Sequence, residues 1–456
     1  MMEVRVIAPN GTIGAGYKEK SLERGISLKP HVIACDGGST DSGPSYLGAG
    51  IPKSSRQAVK RDLRLMFLGR EELGVPLIIG SCGTSGADIG VDWVRDICLE
   101  IATEENLHFK LALIKSDQDK DYLKKRLKEG RIKPLTPAPE ISEDIIDRAS
   151  RIVGVMGYEQ IDKALSEGAE VILAGRATDT ALFAAVPLRM GADPGLTWHM
   201  AKTIECGAAC AVVAAADGMF AVIKDNEFII EPLDLESRCT PLTVASHMLY
   251  ENSSPFLLRE PAGWLDTTNS QYKAIDNRSV SVSGSVFKKA ETYTIKLESA
   301  ELIGYQSVII GGIRDPYIIR RLNELIPFLQ GYFKLKLRTM FERKLTKKDY
   351  KIHFRIYGRD GVMGPYEPLK DDVGHEVGIL ITITAKTQQL ASDIAKFVAW
   401  ISAHVPIPEW EGIISSIAYP FSPPQLDKGA VYRFSLNHVV EPDDPFEMFR
   451  FYYEEV

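Results

Sequence analysis

The sequence predicts an α/β protein: an N-terminal doubly wound, mainly parallel sheet, followed by an α+β domain with mixed or antiparallel strands. Three observations predict it. From residue 4 to about 175, short apolar runs alternate with longer amphipathic stretches. Most of these apolar runs break into a loop of Gly, Ser, Thr and Asp. After residue 280 the pattern becomes strand-like alternation around two helical segments.

The expected strands of the first half are Val4 to Ala8, Val32 to Cys35, Leu77 to Gly80, Lys110 to Ile114, Ile152 to Val155 and Val171 to Ala174. Helical patterns lie between them at Ser54 to Leu73, Asp92 to Glu105, Asp119 to Lys128 and Glu159 to Ser166. Helices of that length between strands imply crossovers, and so a parallel sheet covered on both faces. Five strands lead directly into polar loops: NGTIGAG (10 to 16), DGGSTDSG (36 to 43), SCGTSGAD (81 to 88), KSDQD (115 to 119) and GRATD (175 to 179). In a parallel sheet these loops leave the carboxyl edge, where open α/β folds bind ligands. Ser85 with Asp88, and Ser116 with Asp119, have capping-box spacing, which would aim helix N-termini at the same crevice.

Length and charge narrow the function classes. A chain of 456 residues, at roughly 100 to 200 residues per domain, is read as an α/β ligand-binding domain at 1–230, a connector at 231–279 and an α+β domain at 280–456. Lys plus Arg number 54 against 61 for Asp plus Glu, a net charge of −7. No basic excess is there to neutralise a nucleic-acid backbone. Apolar runs fall short of the roughly 18 to 20 residues of a membrane helix, and MMEVRVIAPNG carries no signal-peptide pattern. A cytoplasmic protein with neither nucleic-acid nor membrane partners is expected. The six cysteines form no CxxC pair and read as free, buried thiols.

The Ala-rich stretch from residue 187 to 240 contains His199, Glu205, Cys206 and Cys210. His199 and Glu205 do not share a helix face, and Cys206 with Cys210 lacks a downstream ligand set, so the sequence assigns no zinc site there. A packed helix with Glu205 at its end, facing the crevice, is expected instead. In the second half VSVSGSVF, YTIKLESAEL, SVIIGGIRDP, KIHFRIYG, GILITITA, SSIAYPFS and VYRFSLNHVV read as strands, with helices from Tyr317 to about Phe341 and from Gln388 to Ala403. IRDP (313 to 316), GRDGVMG (358 to 364) and GHE (374 to 376) set Arg or His beside a carboxylate at strand ends.

Several runs together resemble the acyclic terpene utilisation (AtuA-like) family: ACDGGSTDSGPSYLGAG, AVKRDLRLM, IGSCGTSGAD, LALIKSDQDKDYLKKRLKEGRI, LAGRATDTALFA and ECGAACA. RCTPLTVASHMLYEN, LLREPAG, IGGIRDP, YGRDGVMGP and VYRFSLNHVVEPDDP continue the resemblance in the same order almost to the end. It implies a metabolic protein of a kind connected with branched acyl-CoA intermediates. It does not supply a mechanism.

The residues themselves favour an enzyme acting on a small carboxylate or its CoA thioester, of lyase or hydro-lyase type, and the resemblance extends this to branched substrates. Such a reaction needs a base beside a carbonyl and donors for the developing oxyanion. Asp36 or Glu205 is the expected base, with Asp41, Asp179 and His199 completing the catalytic candidates. Backbone N–H groups of Gly37, Gly38, Gly83 and Arg176 are the expected donors, and the Arg176 side chain the anchor for a carboxylate. Asn10, Ser39, Thr40, Ser81, Thr84, Thr178, Arg359 and Asp360 complete the expected substrate-binding set. Coenzyme A enters as part of the substrate, and the sequence names no metal.

Two other readings stand beside this one. The DGGST loop echoes a phosphate loop, which would make a phosphate- or nucleotide-dependent enzyme, although GxxxxGK[ST] is absent. Alternatively the chain is a non-catalytic binding or scaffold subunit of a catabolic complex, a homo-oligomer or accessory subunit, using residues 205 to 216 or the aromatic end PFEMFRFYYEEV.

Overall fold

A computed structural model describes residues 3–341, 345–346, 348–404 and 417–456. It has strands β1 (Glu3–Ala8), β2 (Val32–Asp36), β3 (Leu77–Gly80), β4 (Lys110–Lys115), β5 (Ile132–Pro134), β6 (Ala149–Val155) and β7 (Val171–Ala174). There follow β8 (Met219–Lys224), β9 (Phe228–Pro232), β10 (Leu257–Glu260), β11 (Gly263–Asp266), β12 (Gln271–Ala274), β13 (Val280–Ser283) and β14 (Val286–Lys289). The last are β15 (Ile295–Ile313), β16 (Tyr350–Tyr357), β17 (Val377–Ala385), β18 (Gln425–Val440) and β19 (Arg450–Glu455).

The chain divides into two compact units, Met1–Glu301 with Phe434–Val456, and Leu302–Arg433. These boundaries differ from those read in the sequence. The stretch 231–279 contributes β10, β11 and β12, and the last residues return to the first unit as β19 beside β4.

In the first unit a ten-stranded sheet runs β12-β13-β9-β8-β1-β2-β3-β7-β4-β19. Its centre, β1-β2-β3-β7-β4, is parallel, and its flanks are antiparallel. Successive residues of each central strand feed opposite faces, as a pleated strand requires. Ile7, Ile33 and Ile79 pack on helices Glu19–Ser27, Arg56–Leu73 and Asp88–Glu105 through Leu22, Leu63, Phe67 and Ile97. Val6, Ala34 and Ile78 pack the other way, on Tyr158–Ser166, Asp179–Arg189 and Pro194–Ile204, through Ile161, Phe183 and Trp198. Burial on both sides explains why these strands read as unbroken apolar runs.

β1 to β4 step in one direction across the sheet, but β7 drops back between β3 and β4, and the chain then leaves for β8 on the far flank. The order therefore reverses between β3 and β7. That reversal is the topological switch point, where such sheets open a crevice at their carboxyl edge.

Two sequence expectations are corrected. The run around Ile152 is not a member of the parallel sheet: β6 pairs antiparallel with β15 over Lys296–Glu301. A four-residue apolar run suits any buried strand and does not encode its partner. Neither expected capping box forms. The helix Asp88–Glu105 starts after Ala87, without a side-chain cap, and Lys120–Lys128 is capped by Asp119, which accepts from Tyr122 N at 2.7 Å. Ser116 is used elsewhere, donating to Gly86 O at 2.6 Å.

In the second unit, β16, β17 and the Tyr305–Ile313 part of β15 form an antiparallel sheet. Helices Leu322–Met340 and Gln388–His404 pack on it through Leu325, Leu329, Phe333, Ile394 and Val398. The start of the expected strand SSIAYPFS lies outside the described residues, and its Ala418 pairs with Gly312.

Glycine lets the carboxyl-edge loops touch backbone to backbone. A Cβ on Gly38 (φ +136°) would stand 2.6 Å from Thr84 Cα, and one on Gly86 (φ +66°) would overlap the Arg176 backbone. Gly130 (φ +71°) has open space around it. Gly130→Ala should therefore cost about 1–2 kcal/mol, the left-handed penalty alone, whereas Gly86→Ala should cost roughly 1–3 kcal/mol more because overlap is added. Urea unfolding of both variants measures the difference, and equal losses would contradict the close approach of these loops.

Candidate functional site

The carboxyl-edge loops enclose a cavity of about 750 Å³. Asn10, Gly11, Thr12, Gly14 and Ala15 line it from the loop after β1, and Asp36 to Ser39 with Asp41 and Ser42 from the loop after β2. Thr84 and Asp179 come from the loops after β3 and β7, and Glu205 and Cys206 from the end of Pro194–Ile204. The loop after β4 stays behind this wall. There Ser116 Oγ accepts from Arg176 N at 2.9 Å and so braces the β7 loop.

Beneath the cavity sits a buried ion pair. Arg176 Nε donates to Glu298 Oε2 at 2.9 Å and Arg176 NH1 to Ser81 Oγ at 3.0 Å, with Asp179 Oδ1 at 3.5 Å. Glu298 also accepts from Thr40 Oγ1 at 2.9 Å and from Lys296 Nζ at 2.8 Å. Burial alone would raise Glu298, but Arg176 and Lys296 overcome it and bring its pKa down to about 2. Burial likewise opposes the charge of Arg176, and Glu298 and Asp179 outweigh that and hold it cationic.

The cavity acids are shifted the other way. Asp36 is 5% exposed; its Oδ2 accepts from Gly38 N at 3.0 Å, while Oδ1 is buried with no hydrogen-bond partner among the described residues. Burial, then the nearby Asp179 charge, push Asp36 well above the usual carboxylate range. Asp179 is raised by burial against the pull of Arg176 and Lys202. Burial takes Glu205 up to about 8 although Lys202 Nζ bonds its Oε1.

Several expected roles find their groups already engaged. Gly37 N donates to Gly80 O at 2.7 Å, Gly38 N to Asp36 and Arg176 N to Ser116, so these three N–H groups are not free for an oxyanion. The Arg176 side chain is held by Glu298 and Ser81, not open to a substrate carboxylate. Asn10 Nδ2 donates to Gly16 O at 2.9 Å, and Thr84 Oγ1 accepts from Lys53 N at 2.8 Å. Gly83 packs against Gly90. Asp41 and Ser39 lie on the cavity rim, where Ser39 Oγ accepts from Asp41 N at 3.1 Å.

His199 stands apart from the cavity lining. It is fully buried in the helix layer between Phe228 and Tyr272, Nδ1 is 2.6 Å from Ser285 Oγ, and burial lowers its pKa to about 3. Thr178 serves a carboxylate that sequence reading missed, Glu260, which accepts from Thr178 at 2.8 Å and Thr180 at 2.5 Å and is raised by burial to about 7. Arg359 and Asp360 belong to the second unit, where Arg359 bonds Asn323 Oδ1. There the three polar corners do meet: Arg314, Asp315, Gly358 and Glu376 line a cleft of about 780 Å³.

Glu298, Lys202 and Glu260, which hold or pair with residues of the site, are the ones that sequence reading overlooked. Glu298 left one signal, an acid within the apolar alternation IKLESAEL, which only a buried cation could stabilise.

Fold and site together define a mixed α/β protein with an acid-lined cavity at its sheet's switch point. The sequence model of the family described as acyclic terpene utilisation family protein AtuA matches residues 81–190 and 197–407, most of the chain, and the protein belongs to that family. Comparison with curated proteins and with solved structures finds no match. No described helix is long and apolar enough to cross a membrane.

The buried pair predicts an acid limb in stability. Glu298 falls from an ordinary 4.5 to about 2 on folding, which corresponds to about 3 kcal/mol, present above pH ~4.5 and lost as pH falls toward ~2. Glu298→Gln should lose about 3 kcal/mol at neutral pH by leaving Arg176 uncompensated, and its stability should vary less over that acid range. Denaturant midpoints at stepped pH test this, and parallel curves for parent and variant would refute the pairing.

Proposed function

We propose that the cavity is the active site of an enzyme that moves a proton beside the carbonyl of a small or branched carboxylate or its CoA thioester, in a lyase or hydro-lyase reaction. The observation that carries this reading is Asp36, whose Oδ1 is buried without a partner in the cavity wall, within electrostatic reach of Asp179. Leaving such an atom unpaired costs roughly 1–3 kcal/mol, and active sites are where that cost is retained.

Two neighbouring carboxyls divide the roles, because both do not ionise together. Arg176, 3.5 Å from Asp179, favours the anion there, so Asp179 takes the proton next to the carbonyl. Asp36 keeps a proton, hands it to the departing hydroxyl and takes it back in the hydration direction. Lys53, Thr12, Ser39, Ser42 and Ser54 on the wall hold the rest of the substrate. A cavity of about 750 Å³ suits an acyl group of this size. Phosphate chemistry has less support, since Gly37 N and Gly38 N of the DGGST loop are already bonded within the protein.

Turnover should fall on the alkaline side as Asp36 loses its proton and on the acid side as Asp179 gains one. Asp36→Asn should lower turnover by about 10²–10⁴-fold in a screen of branched hydroxyacyl and enoyl thioesters and small hydroxy acids, followed by enoyl absorbance. Full activity in that variant would sink the assignment.

A second readout needs no substrate. Because the folded pKa of Asp36 is raised, its contribution to stability is full below the unfolded pKa and is lost as pH rises through the folded one. Asp36→Asn should therefore melt higher than the parent at neutral and alkaline pH, by roughly 2–4 °C per kcal/mol relieved. A lower melting temperature there would mean that Asp36 is a structural acid.

A further inference from the structure

Where the helix Pro194–Ile204 ends, Glu205, Cys206 and His247 each bring a ligand atom to within 4.8 Å of the others. A carboxylate, a thiol and an imidazole are a transition-metal donor set and a poor match for Mg²⁺ or Ca²⁺, which take oxygen. Proximity alone would not make a site. The second observation is His247, 6% exposed, whose Nε2 is buried without a hydrogen-bond partner among the described residues. A buried imidazole nitrogen left without a partner calls for an explanation, and an ion between these three side chains would supply one. Tyr250 stacks on the same ring at 5.6 Å and fixes its plane.

We propose that Glu205, Cys206 and His247 form a binding site for a divalent transition ion of the zinc class. Bonds of about 2.0–2.3 Å around one ion set ligand atoms roughly 3–4 Å apart, so small side-chain rotations close the present spacing. Lys202 occupies Oε1 of Glu205 and leaves its other oxygen for the ion. The Lys202 ammonium repels a cation, but the Glu205 carboxylate and the Cys206 thiolate outweigh it, with Asp179 and Glu251 also near Cys206. On binding, the Cys206 thiol releases its proton to solvent.

Glu205 and Cys206 both line the cavity, which places the remaining coordination position on the cavity side. Three protein ligands with one open position are the pattern of a reactive zinc centre, whereas structural centres are closed by four. An ion there would polarise an oxygen of a bound substrate, a function that the engaged N–H groups of Gly37, Gly38 and Arg176 do not supply. The inference goes beyond the proton-transfer reading above, and metal binding is measured without substrate, so the two stand or fall separately.

The full-length protein, stripped with a chelator, should be titrated with Zn²⁺ and with Co²⁺ as a visible reporter. About one equivalent per chain is expected, with tetrahedral Co²⁺ bands and a thiolate charge-transfer band. Cys206→Ser should abolish the charge-transfer band, and His247→Gln should weaken Co²⁺ binding by at least about tenfold, each with unchanged far-ultraviolet circular dichroism. Should His247→Gln fail to fold, the Cys206→Ser spectrum decides. Failure of the parent protein to retain either ion, or Co²⁺ bound with no thiolate band, overturns the proposal.

Discussion

The buried pair of Arg176 and Glu298 is the interaction on which the site depends. Arg176 is carried by the loop after β7 and Glu298 by β15, while Ser81, which accepts from Arg176, and Thr40, which donates to Glu298, come from the loops after β3 and β2. One guanidinium thus fixes several chain segments relative to each other. Removing two such charges from water costs several kcal/mol per ion, and only good geometry with further hydrogen bonds recovers it. Here Ser81, Thr40, Lys296 and Asp179 supply those further contacts. A pair built in this way gives position more than net stability, and the position it gives is that of Asp179 beside Asp36.

Backbone contact is the second constraint, and it explains why the loops are rich in glycine. Gly38 lies against Thr84 and Gly86 against Arg176, so the loops after β2, β3 and β7 meet without intervening side chains. A Cβ on Gly11 would likewise stand 2.7 Å from the Cys206 backbone, so the loop after β1 also lies close to the end of Pro194–Ile204. Turn chemistry alone would need glycine only where φ is positive. Several of these glycines answer to close packing, and that packing shapes the cavity.

Much of the parallel centre was legible because both its faces are buried: continuous apolar runs, each followed by a polar loop, mark strand and carboxyl edge together. β2, β3 and β7 could be read nearly residue for residue. Pairing was not legible. The apolar run in β6 looks like those of the parallel strands, but β6 pairs with β15, and β19 closes the sheet beside β4 from far along the chain. Such long-range choices rest on packing complementarity that single-sequence periodicity does not carry. The site was half legible for the same reason. Asp36, Asp179 and Glu205 sit at strand or helix ends, where local pattern points, whereas Glu298 and Glu260 bond Arg176 and Thr178 from distant segments. His199 misled because a polar ring within an Ala-rich stretch looks available, and only the structure shows Ser285 and Tyr272 satisfying it.

The charge of the cavity bears on what it can accept. Asp36, Asp41, Asp179, Glu205 and Glu251 line it against Lys53 as the lining cation, and Arg176, the anchor expected for a carboxylate, is spent on Glu298. In the proposed reading Asp179 is the ionised member, and a free carboxylate brought beside it must overcome like-charge repulsion in a medium less polar than water. A thioester carries no charge at its reacting carbonyl. Within the proposed reading, that repulsion favours the thioester over the free acid. The acids also favour whatever cation enters beside Glu205. An acidic wall is a poor host for an anion on its own and a good one for an ion that then presents positive charge to the substrate.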